Sequence, residues 1–338
     1  MLVAAPGAGA RAEVTVERLG GITRIETAVA LSKSRFGPTT YDAWLARADA
    51  FPDALVASAP AGFFNGGGPI LLTPSDHLHP SVREELERLD TQRVFILGSD
   101  DVISGEVEAE IAEMGIDRFR ISGRDRYQTA AGAASTMAGE TFQMAFLATG
   151  ADFADSLAAG PLAYILGRPI FLTTPDELHP SAAQGFLDTT SRKITILGGS
   201  AAVSERVERQ VEETCYNPGT PEPDCVEVVG RIGGRDRTET ATLLADELLR
   251  QTDYGVGPPT HVNLARGDAF PDGVAGAPHA GEELAPILLT AGPDTLGDAT
   301  REWLESYKGT IETLDAFGTA DALSDRVLEE ARAAASGS

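Results

Sequence analysis

Residues Ile121–Ala130 read Ile-Ser-Gly-Arg-Asp-Arg-Tyr-Gln-Thr-Ala, and the chain contains this stretch in three versions. Residues Ile232–Ala241 read Ile-Gly-Gly-Arg-Asp-Arg-Thr-Glu-Thr-Ala, and residues Leu19–Ala28 read Leu-Gly-Gly-Ile-Thr-Arg-Ile-Glu-Thr-Ala. Every version has an arginine at its sixth position and ends in Thr-Ala. The recurrence predicts that the chain is built from three related units.

Three further motifs follow each version in the same order: an Asp-containing loop, a Pro-Ile-x-Leu-Thr segment, and a segment ending in Gly. The loops are Asp49–Leu55, Asp152–Leu157 and Asp268–Val274, the Pro-Ile-x-Leu-Thr segments are Pro69–Thr73, Pro169–Thr173 and Pro286–Thr290, and the last segments are Phe95–Gly98, Thr195–Gly198 and Asp315–Gly318. Four motifs in one order indicate repeats with edges near 13–115, 116–224 and 225–332. Units of about 100 residues are the size of ordinary domains, whereas solenoid repeats are shorter.

Composition excludes several classes of function. The chain has 338 residues and a net charge of −24, which opposes binding to nucleic acid phosphates and to anionic membranes. Its apolar runs are shorter than the roughly 20 residues that span a bilayer. The Gly-Gly pairs lack the spacing of a dinucleotide or P-loop motif, so we expect no cofactor.

Each repeat alternates short apolar strands with helices, the pattern of a parallel sheet covered on both faces. The sequence therefore predicts an α/β fold made of three αβα modules. In the middle repeat the expected strands are 118–121, 144–148, 169–173 and 193–197, and the expected helices are 126–138, 155–166, 180–187 and 204–213, the last capped by Ser204.

Ligands of parallel sheets meet the loops beyond the carboxyl ends of the strands. The repeated motifs fall at these ends, so within each module we expect an aspartate to lie near the threonine that ends a strand. The three expected pairs are Asp53 with Thr73, Asp155 with Thr173, and Asp272 with Thr290.

The chain termini and the two cysteines bear on the cellular compartment. Residues 1–12 end in Ala10-Arg11-Ala12, the A-x-A form of a signal-peptidase site, so they are interpreted as a residual signal peptide or a disordered leader. Residues 333–338 are expected to be a disordered tail. Cys215 and Cys225 bracket a Pro/Gly-rich insertion between repeats two and three, which suggests an extracellular disulfide. That loop supplies too few ligands for a metal site.

The ordered motifs Gly-Arg-Asp-Arg-Tyr-x-Thr-Ala, Ala-Thr-Gly-x-Asp-Phe-Ala-Asp-Ser-Leu, Pro-Ile-x-Leu-Thr and Ile-Leu-Gly-Gly resemble the cell wall-binding repeat 2 family of Gram-positive surface proteins. The resemblance covers nearly the whole chain. It implies Rossmann-like (Toprim-like) modules packed as an intramolecular pseudo-trimer, and non-covalent binding to an anionic cell-wall polysaccharide or teichoic-acid-like polymer. It also implicates the Pro-Ile-Leu-Leu region in binding, which adds Leu71, Leu72, Leu172, Leu288 and Leu289 to the candidates.

The chain departs from the family pattern in two repeats. The first repeat lacks the Arg-Asp pair before Arg24 and has Ile25 where the second has Tyr127. The third has Thr238 at that position, and Asp315 in a segment that is apolar in the first repeat. These departures predict that the second repeat, which keeps the fullest motif, contributes most to binding.

Each candidate residue also has a structural interpretation. Arg24, Arg126 and Arg237 either contact acidic groups of a polymer or pair with the aspartates or helix carbonyls of the module. Asp53, Asp155 and Asp272 either line a site or cap the helices that follow them. The histidines of the Leu-His-Pro turns and their neighbour, His77, His79 and His179, either bind zinc or form turns.

Two classes of function remain. A binding module would anchor the protein at the bacterial surface, secreted and held in the cell wall, as a monomer with three linked sites. A polysaccharide or cell-wall hydrolase would use the strand-end aspartates as acid and base. The sequence shows no catalytic triad, no zinc signature and no single distinctive carboxylate pair, so we name no catalytic and no metal-binding residue.

Overall fold

The computed structural model describes residues 13–49, 51–137, 143–152 and 155–336. The leader 1–12 lies outside the described residues. The first repeat contains β1 (Thr15–Leu19), α1 (Arg24–Arg35), β2 (Asp42–Arg47), α2 (Phe51–Val56), α3 (Ser58–Phe63), β3 (Ile70–Thr73), α4 (Pro80–Leu89), β4 (Arg93–Leu97) and α5 (Gly105–Glu113).

The second and third repeats have the same order of strands, but a 3-10 turn follows the second strand in the second repeat and precedes it in the third. The second contains β5 (Asp117–Ile121), α6 (Arg126–Ser135), β6 (Met144–Thr149), a 3-10 turn (Leu157–Ala159), α7 (Gly160–Leu166), β7 (Ile170–Thr173), α8 (Pro180–Asp188), β8 (Lys193–Leu197) and α9 (Glu205–Glu212). The third contains β9 (Glu227–Ile232), α10 (Arg237–Leu249), a 3-10 turn (Thr252–Tyr254), β10 (His261–Arg266), α11 (Pro271–Glu282), β11 (Ile287–Thr290), α12 (Asp298–Ser306), β12 (Thr313–Phe317) and α13 (Asp325–Ser336).

The strands form parallel sheets of four, which confirms the predicted α/β class. In the described part of the chain the strand orders are β3-β2-β4-β5, β7-β6-β8-β9 and β11-β10-β12-β1. The first strand of each repeat therefore completes the sheet of the preceding repeat. Since β1 pairs with β12, the first repeat also completes the sheet of the third, and the three modules close into a ring.

An arginine on each of these exchanged strands fastens the strand to its new sheet. Arg120 of β5 donates to the carbonyl oxygens of Gly98 (2.9 Å) and Ile103 (3.0 Å). The equivalent contacts run from Arg231 to Gly198 and Val203, and from Arg18 to Gly318 and Leu323. Buried carbonyl groups need a donor, so the arginine satisfies loop groups that would otherwise be unpaired.

Helices α3, α7 and α11 pack against one another at the centre of the ring. Small residues permit the close approach: a Cβ added to Gly62 would lie 2.3 Å from the Tyr164 carbonyl oxygen, and one on Gly160 would lie 2.4 Å from the Ala277 Cβ. The arrangement is the predicted intramolecular pseudo-trimer.

Several local expectations are corrected. Helix α6 ends at Ser135, and the helix expected from residue 155 is a 3-10 turn followed by α7. Ser204 occupies the N-cap of α9, yet its side chain makes no capping hydrogen bond. Helix α13 continues to Ser336 with Ala334 and Ala335 buried, so packing against the third module orders part of the expected tail.

Cys215 and Cys225 form the predicted disulfide. Backbone hydrogen bonds flank it, from Tyr216 N to Asp224 O (2.9 Å) and from Val226 N to Thr214 O (2.8 Å). The two ends of the inserted loop after α9 are therefore held together. Among the described helices, none combines the length and apolar character that crossing a membrane requires.

Candidate functional site

A cleft lies at each junction between repeats, where loops of one module face the helix start of the next. The first cleft, of about 220 Å³, includes Arg47, Asp53, Gly98, Ser99, Arg124, Asp125, Arg126 and Thr129. The second, of about 400 Å³, includes Thr149, Asp152, Asp155, Gly199, Arg235, Asp236 and Arg237. The third, of about 220 Å³, includes Thr23, Arg24, Thr27, Arg266, Asp272, Thr319 and Asp321.

The repeated arginines open the helices that border these clefts. Arg24, Arg126 and Arg237 are the first residues of α1, α6 and α10. Each donates a hydrogen bond from Nη1 to a backbone carbonyl just after the second strand of its own repeat: Ala48 at 3.1 Å, Gly150 at 2.6 Å and Gly267 at 2.6 Å. The arginines therefore hold a loop in place while they line a cleft.

Capping explains the divergence of the first repeat. Asp125 accepts a hydrogen bond from Gln128 N (2.9 Å), and Asp236 accepts from Thr238 N (2.9 Å), so both cap the helix that follows. In the first repeat Thr23 takes this place and forms a capping box with Glu26. The loss of the Arg-Asp pair thus keeps the helix start, since Thr also caps well, and removes one positive and one negative charge from the lining of the third cleft, where Ile22 and Thr23 stand in their place.

The repeated aspartates are held against the helix of the next repeat. Asp155 Oδ1 accepts a hydrogen bond from Thr240 Oγ1 at 2.9 Å. Burial raises the pKa of Asp53, and Arg126 and Arg47 oppose the shift. Burial likewise raises the pKa of Asp272 to about 6, opposed by Arg24 and Arg266.

The sequence predicted these aspartates beside the strand-end threonines, and in the structure the aspartates line the clefts whereas the threonines do not. Thr73, Thr173 and Thr290 are fully buried and lie outside the lining of the clefts given above. Thr73 Oγ1 donates to His77 O (3.0 Å) and accepts from His79 N (3.1 Å), and Thr173 makes the equivalent bonds. These threonines are therefore inaccessible to a ligand in this structure, and their hydroxyls satisfy the backbone of the turn that follows.

The leucines of the Pro-Ile-x-Leu-Thr strands are also inaccessible. Leu71, Leu72, Leu172, Leu288 and Leu289 are all 0% exposed. A polymer cannot touch them in this structure, so any effect on binding is through the sheet that carries the cleft loops.

The contacts of Tyr127 and of the three histidines are those of turns and helix starts. The ring of Tyr127 stacks on that of His179, with centroids 4.3 Å apart. His179 and His79 accept hydrogen bonds from Ser181 N and Ser81 N and cap α8 and α4. His77 pairs with the adjacent Asp76. The turn interpretation of the Leu-His-Pro segments therefore explains their contacts.

Sequence reasoning missed Arg47 and Arg266, which end β2 and β10 and face into the first and third clefts. It also missed Arg18, Arg120 and Arg231, the arginines that hold the exchanged strands. Each of them immediately precedes the Leu or Ile that begins the first motif of its repeat. The signal was a recurring residue one position ahead of the quoted motif.

The clefts differ in charge. Among the described residues that line them, the first has Arg47, Arg124 and Arg126 against Asp53 and Asp125. The second has two arginines against three aspartates, and the third has two against two. The first cleft is thus the one with an excess of positive charge, and it includes the fullest copy of the repeated motif.

Comparisons with known proteins agree with this architecture. Residues 18–108, 120–208 and 231–328 match the model of the family described as Cell wall binding domain 2. The chain is 28% identical over 321 residues to N-acetylmuramoyl-L-alanine amidase LytC of Bacillus subtilis (strain 168), which covers 95% of this chain and 59% of that relative. It is 29% identical over 274 residues to the Amidase enhancer of the same organism, covering 81% of this chain and 34% of that relative.

A solved structure has the same fold. Cwp8 from Clostridium difficile superposes with a TM-score of 0.81 at 26% sequence identity, covering 96% of this chain and 52% of that chain. The chain thus spans between 34% and 59% of the length of these relatives.

Proposed function

The chain belongs to the Cell wall binding domain 2 family, and from this premise we propose that it binds an anionic cell-wall polymer non-covalently through the three inter-repeat clefts. The polymer would be a polysaccharide or a teichoic-acid-like chain. Binding would hold the protein at the bacterial surface. The observation that carries the proposal is the threefold recurrence of an arginine, at a helix start, beside an aspartate of the preceding repeat.

Local charge reconciles an acidic protein with an acidic ligand. The net charge of −24 opposes general attraction to a polyanion, so recognition must rest on local guanidinium groups. The first cleft offers three of them, and Arg124 is exposed at its mouth. Guanidinium groups bind phosphate and carboxylate in bidentate geometry, which suits repeating acidic groups.

Three sites in one chain suit a repetitive polymer. Because the clefts are held in a closed ring, engagement of one raises the effective concentration of the polymer at the others. Linked sites of this kind gain avidity by a factor of order 10²–10⁴ without new contacts. Weak individual clefts can therefore still give firm retention.

A pulldown on isolated Gram-positive cell walls tests the proposal. The full chain should sediment with intact walls and remain soluble with walls stripped of their anionic polymers. Arg124→Glu should weaken retention, whereas Arg250→Glu should not, since Arg250 lies at the far end of α10 and pairs with Glu247. Equal retention on stripped and intact walls would rule out an anionic polymer as the ligand.

The amidase name belongs to the relative, and we propose that the region described here contributes binding without catalysis. Asp272, with its raised pKa, is the group that a hydrolase mechanism would use as an acid. An assay of wall hydrolysis run beside the pulldown separates the two functions. Release of soluble wall fragments by the purified chain, lost in Asp272→Asn, would favour the enzyme.

A further inference from the structure

A buried polar cluster distinguishes the junction between the third and first repeats from the other two. His279 of α11 is 1% exposed, and the side chains of Glu283 and Asp315 are 3% and 6% exposed. One ligand atom from each of these three residues lies within 4.8 Å of the other two. Asp315 is the third residue of β12, where the equivalent strands have Phe95 and Thr195, so the cluster is not part of the repeated machinery.

The hydrogen bonds around His279 fix which ring nitrogen faces the carboxylates. Ser34 Oγ lies 2.7 Å from Leu31 O and 2.7 Å from His279 Nδ1, and when its single proton is donated to Leu31 O the hydroxyl accepts from Nδ1–H. In the neutral ring Nε2 then carries a lone pair.

This lone pair points at two carboxylate oxygens. Nε2 lies 3.2 Å from Asp315 Oδ2 and 3.3 Å from Glu283 Oε2. Glu283 Oε2 and Asp315 Oδ1 accept no hydrogen bond from the described residues. Electron pairs that converge in a buried space repel one another unless a cation lies between them.

We propose that His279, Glu283 and Asp315 form a binding site for a divalent transition-metal ion of the zinc class. One imidazole and two carboxylates are a ligand set that such ions accept. Ligands about 2.0–2.1 Å from a tetrahedral zinc ion lie about 3.3 Å from one another, which matches the two distances from Nε2. Charge-assisted N–H···O bonds are shorter, about 2.7–2.9 Å, so a shared proton fits the spacing less well.

The surroundings resemble the outer partners of a metal site. Ser34 orients the imidazole through Nδ1, as second partners of metal-bound histidines do. Arg35 contacts Glu283 Oε1 and leaves Oε2 facing the cluster. Two carboxylates and one guanidinium give the cluster a net charge of −1 when the ring is neutral, and a divalent ion would bring it to +1. Since Ser34 and Arg35 belong to α1, the bound ion would join the first repeat to the third.

Metal titration of the intact chain tests the site. The full chain is stripped with a chelator, exchanged into metal-free buffer and titrated with Co²⁺, whose visible absorption reports its coordination. We expect one Co²⁺ per chain with the intense bands of a four-coordinate N/O site, displacement by Zn²⁺ but not by Mg²⁺ or Ca²⁺, and a Zn²⁺-dependent rise in Tm.

Two variants localise the ion. Asp315→Asn keeps the shape of the side chain and should weaken Co²⁺ binding by roughly 10–100-fold or more, since even loss of an outer partner costs that much. His77→Ala removes the exposed His77–Asp76 pair and should bind as the parent does. Unchanged binding by folded Asp315→Asn overturns the proposal. If that variant does not fold, the Co²⁺ titration of the unmodified chain decides. No bound Co²⁺, or only the faint spectrum of a hydrated ion, then also overturns the proposal.

Discussion

Thr240 donates a hydrogen bond to Asp155 at 2.9 Å, although the two residues belong to different repeats. Thr129 and Asp53 line the first cleft together, and Thr27 and Asp272 line the third. Every cleft is therefore composite: Asp53, Asp155 or Asp272 comes from one repeat, and the arginine that opens a helix, Arg126, Arg237 or Arg24, comes from the next. A single excised repeat would lack half of a site and the strand that completes its sheet.

Arg126→Ala should reduce retention on cell walls more than Arg24→Ala. Both arginines donate to the equivalent backbone carbonyl, Gly150 O and Ala48 O, so the two changes cost similar structure. Arg126 also belongs to the cleft with excess positive charge. We expect about tenfold weaker binding for Arg126→Ala, equivalent to about 1.4 kcal/mol, and a smaller loss for Arg24→Ala. Binding isotherms on isolated walls measure this, after circular dichroism shows both variants folded. Equal affinities for parent and variants would make the arginines structural only.

Polymer binding should strengthen as the pH falls through about 6, the raised pKa of Asp272. Below that pH Asp272 is neutral, and the third cleft loses a negative charge beside Arg24 and Arg266. Asp272→Asn should bind at pH 7.5 as strongly as at pH 5 in this cleft, which flattens the pH profile. Retention measured from pH 5 to pH 8 at constant ionic strength checks the slope, and a steeper profile in the variant would contradict the assignment.

The carboxyl group of Asp272 also makes the stability of the fold depend on pH. Its folded pKa of about 6 lies above the ordinary 3.8, so its stabilising contribution is complete below pH 3.8 and is lost as the pH rises through 6. Asp272→Asn resembles the protonated form. It should therefore raise the free energy of unfolding by roughly 1–3 kcal/mol at pH 7.5 and change it little at pH 4. Urea unfolding at the two pH values gives both numbers, and an equal effect at both would remove titration as the cause.

Gly62→Ala should destabilise the central contact of the ring. Its Cβ would lie 2.3 Å from the Tyr164 carbonyl oxygen, and backbone cannot yield cheaply. We expect a loss of about 1–3 kcal/mol, the usual cost of overpacking. Gly105→Ala in α5 is the matched control, because its Cβ would meet nothing within 4 Å. Comparable Tm values for the two variants would mean that the central helices pack less tightly than described.

Cys215→Ser should loosen the inserted loop and leave the modules folded. The disulfide closes residues 215–225 and lies after α9, outside the three sheets. A loop of this size is worth roughly 2–3 kcal/mol in the chain-entropy model. Proteolysis should accelerate within this loop while the far-ultraviolet circular dichroism stays the same. A global loss of the circular dichroism signal would show that the loop also supports the second module.

The sequence by itself determined the local structure of this protein. Each motif alone is a weak predictor, but the three repeats contain the same motifs in the same order, so their predictions agree. Continuous apolar runs such as Ile70–Thr73 form buried strands. His79 ends a turn and caps the helix that begins at Pro80. The Cys215–Cys225 pairing followed from a Pro/Gly loop with two cysteines. Periodicity, capping and turn chemistry act over a few residues, so they can be read along the chain.

The tertiary structure alone decided which strand joins which sheet, and hence how each cleft is assembled. Strand β5 belongs to the second repeat in sequence and to the first sheet in space, a choice made by long-range pairing that no local pattern encodes. This exchange brings Asp53 to Arg126, whereas sequence order placed it beside Thr73. It also brings Ser34 of α1 to His279, 245 residues away. Which groups are buried and which hydrogen bonds form depend on these distant partners. The sites are therefore assembled only when the three modules close into a ring, and a single repeat does not contain one.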